Sequence, residues 1–275
     1  MIIDDGSADH TEELVQTWIQ ENIENIENTE NIDNGVFRIE YYYKDNGGLH
    51  TAYNEAISHI ETELSVCIDS DDYMPYDAVE KILSFWEKNG TDQYAGILGL
   101  DYDTQGHLIG DPLPTQKSVN LIDLLIGKYH INNGDRTVVV RTALYKKVAP
   151  MKTYSGEKYF NPHYMHLLIS KKYDFLVLNE NLRYVDYQPG GMTDSIFKQY
   201  VSSPRSFIQI RRLYLSFSEA SINFKIRHSI HLASSCFLLG KPLYSIKLNP
   251  YKYLAAMSLP FGFLLSKWVK FKADR

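Results

Sequence analysis

Two apolar segments of the sequence end in clusters of acidic residues, and this pairing limits the folds that the chain can adopt. Segment 1–3 leads into Asp4 and Asp5, and segment 64–68 leads into a second cluster at residues 69–72. An apolar run that ends in carboxylates and turn residues before a helix is typical of a strand in a parallel sheet. Because the carboxyl ends of parallel strands meet at one edge, where ligands bind, we expect both clusters at the same edge.

Strand-like and helix-like patterns alternate up to about residue 150. They predict helices over residues 9–23, 77–88, 120–128 and 142–148, and strands over residues 36–43, 94–102 and 135–141. Residues 160–190 add a helix and a further strand. This alternation predicts an α/β fold in which helices flank a mostly parallel sheet. We interpret the near-repeat of Ile-Glu-Asn at residues 21–34 as a helix end that frays into a surface loop without chemistry.

Charge divides the chain into an acidic part and a basic part. Residues 1–197 hold 15 Lys and Arg against 32 Asp and Glu, a net charge of −17, whereas residues 198–275 hold 13 against 2, a net charge of +11. The basic part is also rich in Phe, Leu and Tyr, which favours an anionic membrane surface over nucleic acid as its partner. We expect residues 1–194 to form the α/β domain and residues 195–275 a basic helical extension close to the membrane.

The last predicted helix has the features of a segment that lies on a membrane. Its apolar run, within residues 253–271, is too short to span a bilayer, and Pro260 interrupts it. Lys267 and Trp268 lie in this segment, and such a combination is typical of a helix in the membrane interface. The alternative is a basic helical face that folds back on the acidic part of the chain.

Cysteine usage and the N-terminus bear on the compartment. Cys67 and Cys236 are the two cysteines, and their spacing indicates neither a disulfide framework nor a metal site. This favours a reducing compartment. The N-terminus is acidic and lacks the basic region of a signal peptide. We therefore expect a cytoplasmic protein that attaches peripherally to the inner face of the cell membrane.

The acidic clusters themselves indicate a metal ion. Neighbouring carboxylates repel one another unless a cation lies among them. Oxygen ligands without His or Cys suit Mg²⁺ or Mn²⁺, and these ions in turn suit a diphosphate. Each cluster alone could instead be an Asp-rich turn or a helix cap, but two on successive strands of one sheet favour the metal site.

Three segments together resemble the motifs of family 2 glycosyltransferases, which have the GT-A fold. They are IDDGSADHT at residues 3–11, NGGLHTAYNEAI at residues 46–57 and IDSDDYMP at residues 68–75. The resemblance is firm over about the first 100 residues and looser up to residue 194. It implies an inverting enzyme that moves a sugar from a nucleotide-diphosphate sugar to a hydroxyl of a glycan or lipid-linked acceptor in surface polysaccharide synthesis.

The resemblance also implies roles for individual residues. Asp5 would accept a hydrogen bond from the nucleotide base, and the Asn46-Gly47 turn would approach the base or ribose. Asp69 would reach the ribose or a metal-bound water. Asp71 would ligate the metal ion that bridges the two phosphates of the donor.

At the general base, this chain departs from the family pattern. The family base commonly lies in an acidic pair just before a helix, and the matching region is residues 154–169, where Pro162 occupies the expected acidic position. Glu157 is the first candidate and His163 the second. Glu157 could instead be a loop carboxylate paired with a neighbouring lysine. Residues 186–193 resemble the flexible segment that covers the acceptor site in the family.

The family pattern begins with one more strand and helix than this chain has, and that strand would lie between the two acid-bearing strands. We therefore expect an unpaired backbone edge on each of them, and either a misassigned start or a truncation. Two alternatives to an active glycosyltransferase follow: an inactive remnant that binds a membrane or a partner, and a nucleotidyltransferase. The sequence has no glycine-rich, basic phosphate loop near its start, which speaks against the second.

Overall fold

The computed structural model describes residues 1–27, 38–132, 134–187, 190–191 and 195–275. The strands in these ranges are β1 Ile2–Asp4, β2 Tyr41–Tyr43, β3 Leu64–Ser65, β4 Tyr94–Asp103, β5 Ser118–Val119, β6 Arg136–Arg141 and β7 Asp174–Val185. The helices are α1 Thr11–Glu27, α2 Leu49–His59, α3 Ala78–Asn89, α4 Leu121–Leu125, α5 Thr142–Val148, α6 His163–Ser170, α7 Ile196–Ser202, α8 Pro204–Leu215, α9 Ile222–Leu238, α10 Tyr244–Leu248 and α11 Lys252–Ala273.

The predicted elements agree with the structure where their sequence pattern is strong. The predicted helices at 77–88 and 142–148 are α3 and α5, and the predicted strands at 94–102 and 135–141 are β4 and β6. The strand expected over 64–68 is shorter than predicted, because only Leu64 and Ser65 pair with another strand.

Two predicted segments are only partly described. Helix α1 continues to Glu27, so the start of the Ile-Glu-Asn repeat is helical, and residues 28–37 lie outside the described residues. In the segment predicted to cover the acceptor, residues 188–189 and 192–194 also lie outside them.

The central sheet is mixed, which corrects the expectation of mostly parallel strands while confirming the α/β class. Its strand order is β3-β6-β4-β7-β5. Strands β4 and β7 are parallel, whereas the pairs β3–β6, β4–β6 and β5–β7 are antiparallel. After β4, the chain makes a long excursion through β5 and α4 and returns alongside β4 in the opposite direction. Hydrophobic periodicity records that a strand is buried, but not the direction in which it runs.

The first strand lies outside this sheet. In the described residues, β1 pairs only with β2, in parallel, with Ile3 opposite Tyr42. Residues 66–68 form no strand there. The expected unpaired edges are therefore present at both acid-bearing segments.

Side chains of β4 alternate between the two faces of the sheet, as in any strand. Leu98 and Leu100 pack in the larger core cluster, which also contains side chains of α5 and α6. Ile97 packs on the opposite face with Ile82 and Trp86 of α3. Two helical layers thus enclose the sheet and leave its edge at the carboxyl ends of β4 and β7 for the site.

Helix α8 belongs to the same core as the sheet. Its residues Ile210, Leu213 and Tyr214 lie in the larger cluster together with Leu98. The predicted division at residue 194 therefore does not separate two cores, and it stays a prediction.

Helix α11 packs against α9 through small residues. Ala255, Ser258, Gly262 and Ser266 are its buried side, and a Cβ added at Gly262 would lie 2.5 Å from the Cβ of Ala233. Only glycine permits so close an approach of the two helices. In the described ranges, the structure has no helix with the length and apolar character needed to cross a membrane.

Candidate active site

Asp4 fixes the turn that follows β1. It is 5% exposed, and its carboxylate accepts hydrogen bonds from the amide of Ser7, at 2.7 Å, and the hydroxyl of Tyr41, at 2.6 Å. Burial alone would raise the pKa of Asp4, but these hydrogen bonds outweigh it and lower the pKa. The bond to Asp4 also raises the pKa of Tyr41 to about 12. Asp4 is therefore ionised, and both of its carboxylate oxygens accept hydrogen bonds that stabilise the turn.

Asp5 holds the glycine turn before α2. Its Oδ1 accepts from Nζ of Lys44 at 2.6 Å and from the amide of Gly47 at 3.0 Å, and its Oδ2 accepts from the amide of Gly48 at 2.7 Å. Burial opposes ionisation, but these bonds outweigh it and lower the pKa of Asp5. The side chain of Asn46 donates to the backbone oxygen of Asp5 at 2.7 Å. The structure thus brings together the residues predicted to contact the nucleotide.

At Gly48, this turn lies closest to the loop before α6. Its φ is +91°, and a Cβ there would lie 1.8 Å from the backbone oxygen of Lys158. Nζ of Lys158 also donates to Oδ1 of Asn46 at 2.6 Å. Residues 154–162 therefore form a wall beside the glycine turn, and a side chain at Gly48 would push that wall away.

Helix α2 connects the two acid-bearing segments. At its start, the hydroxyl of Thr51 lies 3.3 Å from Oδ1 of Asp5. Further along, Tyr53 lies against Cys67 and close to Asp69, and burial together with these two groups raises the pKa of Tyr53 well above its ordinary value. Helix α2 thus lies beside Asp5 at its start and close to Asp69 further along.

The second cluster is attached to the end of β7. Tyr73 and Tyr184 exchange backbone hydrogen bonds of 3.1 and 2.8 Å, which places residues 69–72 at the carboxyl end of that strand. Arg183, next to Tyr184, pairs with Asp72 at 3.2 Å and also with the fully buried Asp101 of β4. Two carboxylates of this region are therefore paired with one guanidinium, which balances one of their two negative charges.

Asp69 and Asp71 have no salt-bridge partner in the described part of the chain. Burial raises the pKa of Asp69, and the charges of Asp71 and Asp135 raise it further, against the opposing effect of Arg183. Such a carboxylate is stabilised by a cation. In the described ranges, no three His, Cys, Asp or Glu side chains form a ready-made metal site. Two carboxylates suit Mg²⁺, which keeps several waters and takes its other ligands from substrate phosphates.

Sequence reasoning missed Arg183, Lys44 and a further acidic residue, Asp135. Asp135 immediately precedes β6, and because β6 runs antiparallel to β4, its start lies at the carboxyl end of β4. Asp135 is exposed, and it accepts a hydrogen bond of 2.6 Å from the hydroxyl of Tyr187. Burial, followed by this bond, raises the pKa of Tyr187. An arginine within the apolar stretch of β7 was the one signal that could have indicated a buried charge pair.

Glu157, the first candidate for the base, has a different environment from the one expected. It is 6% exposed, and it accepts hydrogen bonds from the amides of Arg205 and Ser206, both at 2.9 Å, and from the hydroxyl of Ser206 at 2.8 Å. These groups belong to the first turn of α8, where a carboxylate is favourable. Because both carboxylate oxygens are held by α8 in this way, they are not free to bond to an acceptor hydroxyl, and the geometry speaks against Glu157 as the base.

His163, the second candidate, begins α6. Burial lowers its pKa to about 4, so the imidazole is neutral at physiological pH. Its ring lies 5.9 Å from the ring of His166, edge to face. Neither His163 nor Glu157 has a described hydrogen bond or ion pair with the acidic cluster at residues 69–72.

The model of the family described as Glycosyl transferase family 2 matches residues 1–146 of the chain. This is more than half of the 275 residues. The chain belongs to this family. The predicted family, GT-A fold and enzyme class are therefore confirmed, and the chain is a glycosyltransferase. The matched residues include Asp5, Asp69, Asp71 and Asp135.

Among solved structures, this glycosyltransferase is similar to S. aureus TarS 1–349 in complex with UDP-GlcNAc. The TM-score is 0.51 at 16% sequence identity, and the match covers 98% of this chain and 78% of that one. A second structure of S. aureus TarS 1–349 gives a TM-score of 0.48 at 14% identity, covering 98% and 81%. At such identities the likeness shows the shared fold. No curated protein matches the chain in sequence.

Proposed function

We propose that the chain is a metal-dependent, inverting glycosyltransferase that uses a nucleotide-diphosphate sugar and acts on an acceptor at the membrane surface. One observation carries the proposal. Arg183 forms ion pairs with Asp72 and Asp101, whereas, among the described residues, Asp69 and Asp71 have no ion-pair partner at the carboxyl edge of the sheet. A site that leaves two carboxylates uncompensated fits a divalent cation and the diphosphate that such a cation binds.

The nucleotide would bind between the Asp5 turn and the acidic cluster. Among its described hydrogen bonds, Oδ2 of Asp5 accepts only from Gly48, so it retains a lone pair for a donor group of the base. Asn46 and Gly47 present backbone next to this oxygen, so that a planar base could approach closely. Because S. aureus TarS was crystallised with UDP-GlcNAc, this is the first donor to test.

Asp71 and Asp69 would hold Mg²⁺ or Mn²⁺, which would stabilise the charge on the departing diphosphate. The contribution of the chain is to orient the two carboxylates. The backbone bond from the amide of Asp72 to the oxygen of Asp69, at 3.0 Å, closes the turn that carries them. Arg183 fixes the end of this turn by pairing with Asp72.

We assign the role of general base to Asp135. It is an exposed carboxylate at the same edge as the acidic cluster, and its charge raises the pKa of Asp69. The hydroxyl of Tyr187 orients it. An accessible carboxylate within reach of the acceptor can take the proton of an acceptor hydroxyl as that hydroxyl attacks.

Helix α11 would attach the enzyme to the membrane. Large apolar side chains follow one another every three or four residues on the side that does not face α9: Tyr253, Met257, Phe261, Leu264, Trp268 and Phe271, all between 47% and 91% exposed. Lys267 lies over the ring of Phe263, and Lys272 over that of Trp268, at 5.5 and 6.0 Å. An apolar face bordered by lysines fits an anionic bilayer surface and favours a lipid-linked acceptor.

The proposal is tested by metal-dependent donor binding. Calorimetric titration of the full chain with UDP-GlcNAc should show binding that requires Mn²⁺. Asp71→Asn keeps the size of the side chain but removes a charge, so it should abolish the part that depends on the metal. Asp45→Asn, an exposed acid in the glycine turn, is the matched control and should bind as the wild type does. Equal metal dependence in Asp71→Asn would overturn the assignment.

A further inference from the structure

A cavity of about 140 Å³ lies between the loop before α6 and the helices α7 and α8. Tyr159 and Asn161 of the loop, Tyr200 of α7, and Arg211 and Tyr214 of α8 are among its lining residues. The volume is sufficient for several water molecules or for a small polar group. None of these residues takes part in the donor site described above.

Arg211 is a cation without an acidic partner at this cavity. Its Nη2 donates to the hydroxyl of Tyr200 at 2.8 Å, and its Nη1 bonds to Nδ1 of His228 at 3.1 Å. Its Nε is buried and has no partner within the described residues, and no ion pair described there includes Arg211. A guanidinium has five N–H donors, so three of them are left for a ligand.

Within the described residues, no acidic side chain forms an ion pair with Arg211, and its histidine neighbours are uncharged. Burial, followed by the charge of Arg211, lowers the pKa of His228 to about 3 and that of His231 to about 4, so both rings are neutral. The acid of the adjoining wall, Glu157, is bonded to Arg205 and Ser206 instead. A partly buried cation without a counter-charge is unfavourable unless an anion binds beside it.

We propose that this cavity binds a phosphate group, with the Arg211 guanidinium as its principal ligand. The planar fork of an arginine matches the oxygens of a phosphate, and Tyr159 and Asn161 add neutral polar groups to the wall. The loop that supplies them also carries Lys158, which bonds to Asn46 of the donor site. Through this contact the loop that lines the cavity also borders the donor site, so a phosphate of the acceptor is the occupant assigned to the cavity.

The assignment to the acceptor rests on the proposed glycosyltransferase function, whereas the phosphate site does not. The same chemistry could come from a lipid headgroup, because Phe197 of α7 packs edge to face against Trp268 of α11, at 5.0 Å. The experiment therefore has one arm for the phosphate itself and a second arm for its source.

The first arm follows the Nε–H group of Arg211 by ¹H–¹⁵N NMR in the full chain. The resonance is assigned by its loss in Arg211→Lys, which keeps the positive charge, and thermal melting verifies that the variant is folded. Inorganic phosphate should shift this resonance saturably in the millimolar range, while chloride at equal ionic strength should not. In the matched control Arg212→Lys, an exposed neighbour, the shift should persist. A resonance that phosphate leaves unchanged, or moves no more than chloride does, overturns the proposal.

The second arm compares Arg211→Gln with Arg212→Gln in sedimentation with vesicles of phosphatidylcholine and phosphatidylglycerol. Equal binding of the two variants supports the acceptor as the source of the phosphate. A loss confined to Arg211→Gln overturns that source and assigns the site to a lipid headgroup. Because the phosphate titration needs no turnover, its failure is distinguishable from failure of the donor site at Asp71.

Discussion

Replacing Arg183 with Gln removes the cation that pairs with two carboxylates in the interior of the site. Asp101 is 0% exposed and the side chain of Asp72 is 5% exposed, while that of Arg183 is 13% exposed. Removing one partner of a buried ion pair costs about 3–5 kcal/mol, because the other charge stays buried without compensation. For a domain of this size, such a loss lowers the melting temperature by about 6–20 °C.

The cost of Arg183→Gln should depend on pH in a defined direction. Burial raises the pKa of both Asp101 and Asp72, and Arg183 opposes that rise. Without Arg183, both folded-state pKa values rise further above the value of the unfolded chain. The folded state then binds more protons than the unfolded state, so stability falls as pH increases through this window. The loss should be smaller at about pH 4, near the pKa of an unfolded Asp, than at about pH 7.

Urea unfolding followed by far-ultraviolet circular dichroism at both pH values measures this loss. Lys81→Gln is the control, because Lys81 pairs with Asp77 and Glu180 at 2.9 and 3.4 Å on the surface. An exposed pair of this kind contributes about 0–1 kcal/mol. If Arg183→Gln costs no more than Lys81→Gln, or costs the same at both pH values, the buried charge network is wrongly described.

Three further predictions concern the base, the cap and the membrane face. Glu157→Gln should lower stability by about 1–2 kcal/mol through the loss of the α8 cap, while turnover per folded molecule is unchanged. Asp135→Asn should leave the melting temperature unchanged and lower turnover by about 100-fold or more. If instead Glu157→Gln lowers turnover and Asp135→Asn does not, the role of base returns to Glu157. Phe261→Ser combined with Leu264→Ser should weaken binding to anionic vesicles by about 10- to 100-fold, measured by sedimentation, whereas Val79→Ser on α3 should not. Raised salt should release the wild type, and binding that ignores salt and both α11 changes would refute the membrane face.

The sequence was sufficient to locate helices and strands that have a regular hydrophobic pattern along their own length. Helix α3 and strand β4 could be located to within about a residue because their apolar spacing is regular over ten or more positions. Strand β3 could not be delimited in this way. Residues 66–68 have the composition of a strand, but a strand requires a partner, and none pairs with them among the described residues.

Site residues that lie within a sequence motif could be predicted. Site residues whose role depends on a partner far away in the chain could not. Asp5 and Asp71 follow apolar segments, so their place in turns just after those segments could be expected, whereas the separation of β1 from the central sheet could not. The role of Arg183 depends on Asp101 and Asp72, which are 82 and about 110 residues away in the chain. Glu157 could be recognised as a cap only once the start of α8 was seen to lie against it.

Turnover of a nucleotide sugar tests the central claim most directly. The purified full chain is incubated with UDP-GlcNAc and then with other nucleotide-diphosphate sugars, with Mn²⁺ or with a chelator. Water takes the place of the acceptor and receives the sugar, and release of the nucleoside diphosphate is measured. We predict release that depends on the metal for at least one donor, lowered by about 100-fold or more in Asp71→Asn and unchanged in Asp45→Asn. Release that is equal in Asp71→Asn and the wild type, or no release from any donor, would contradict the account.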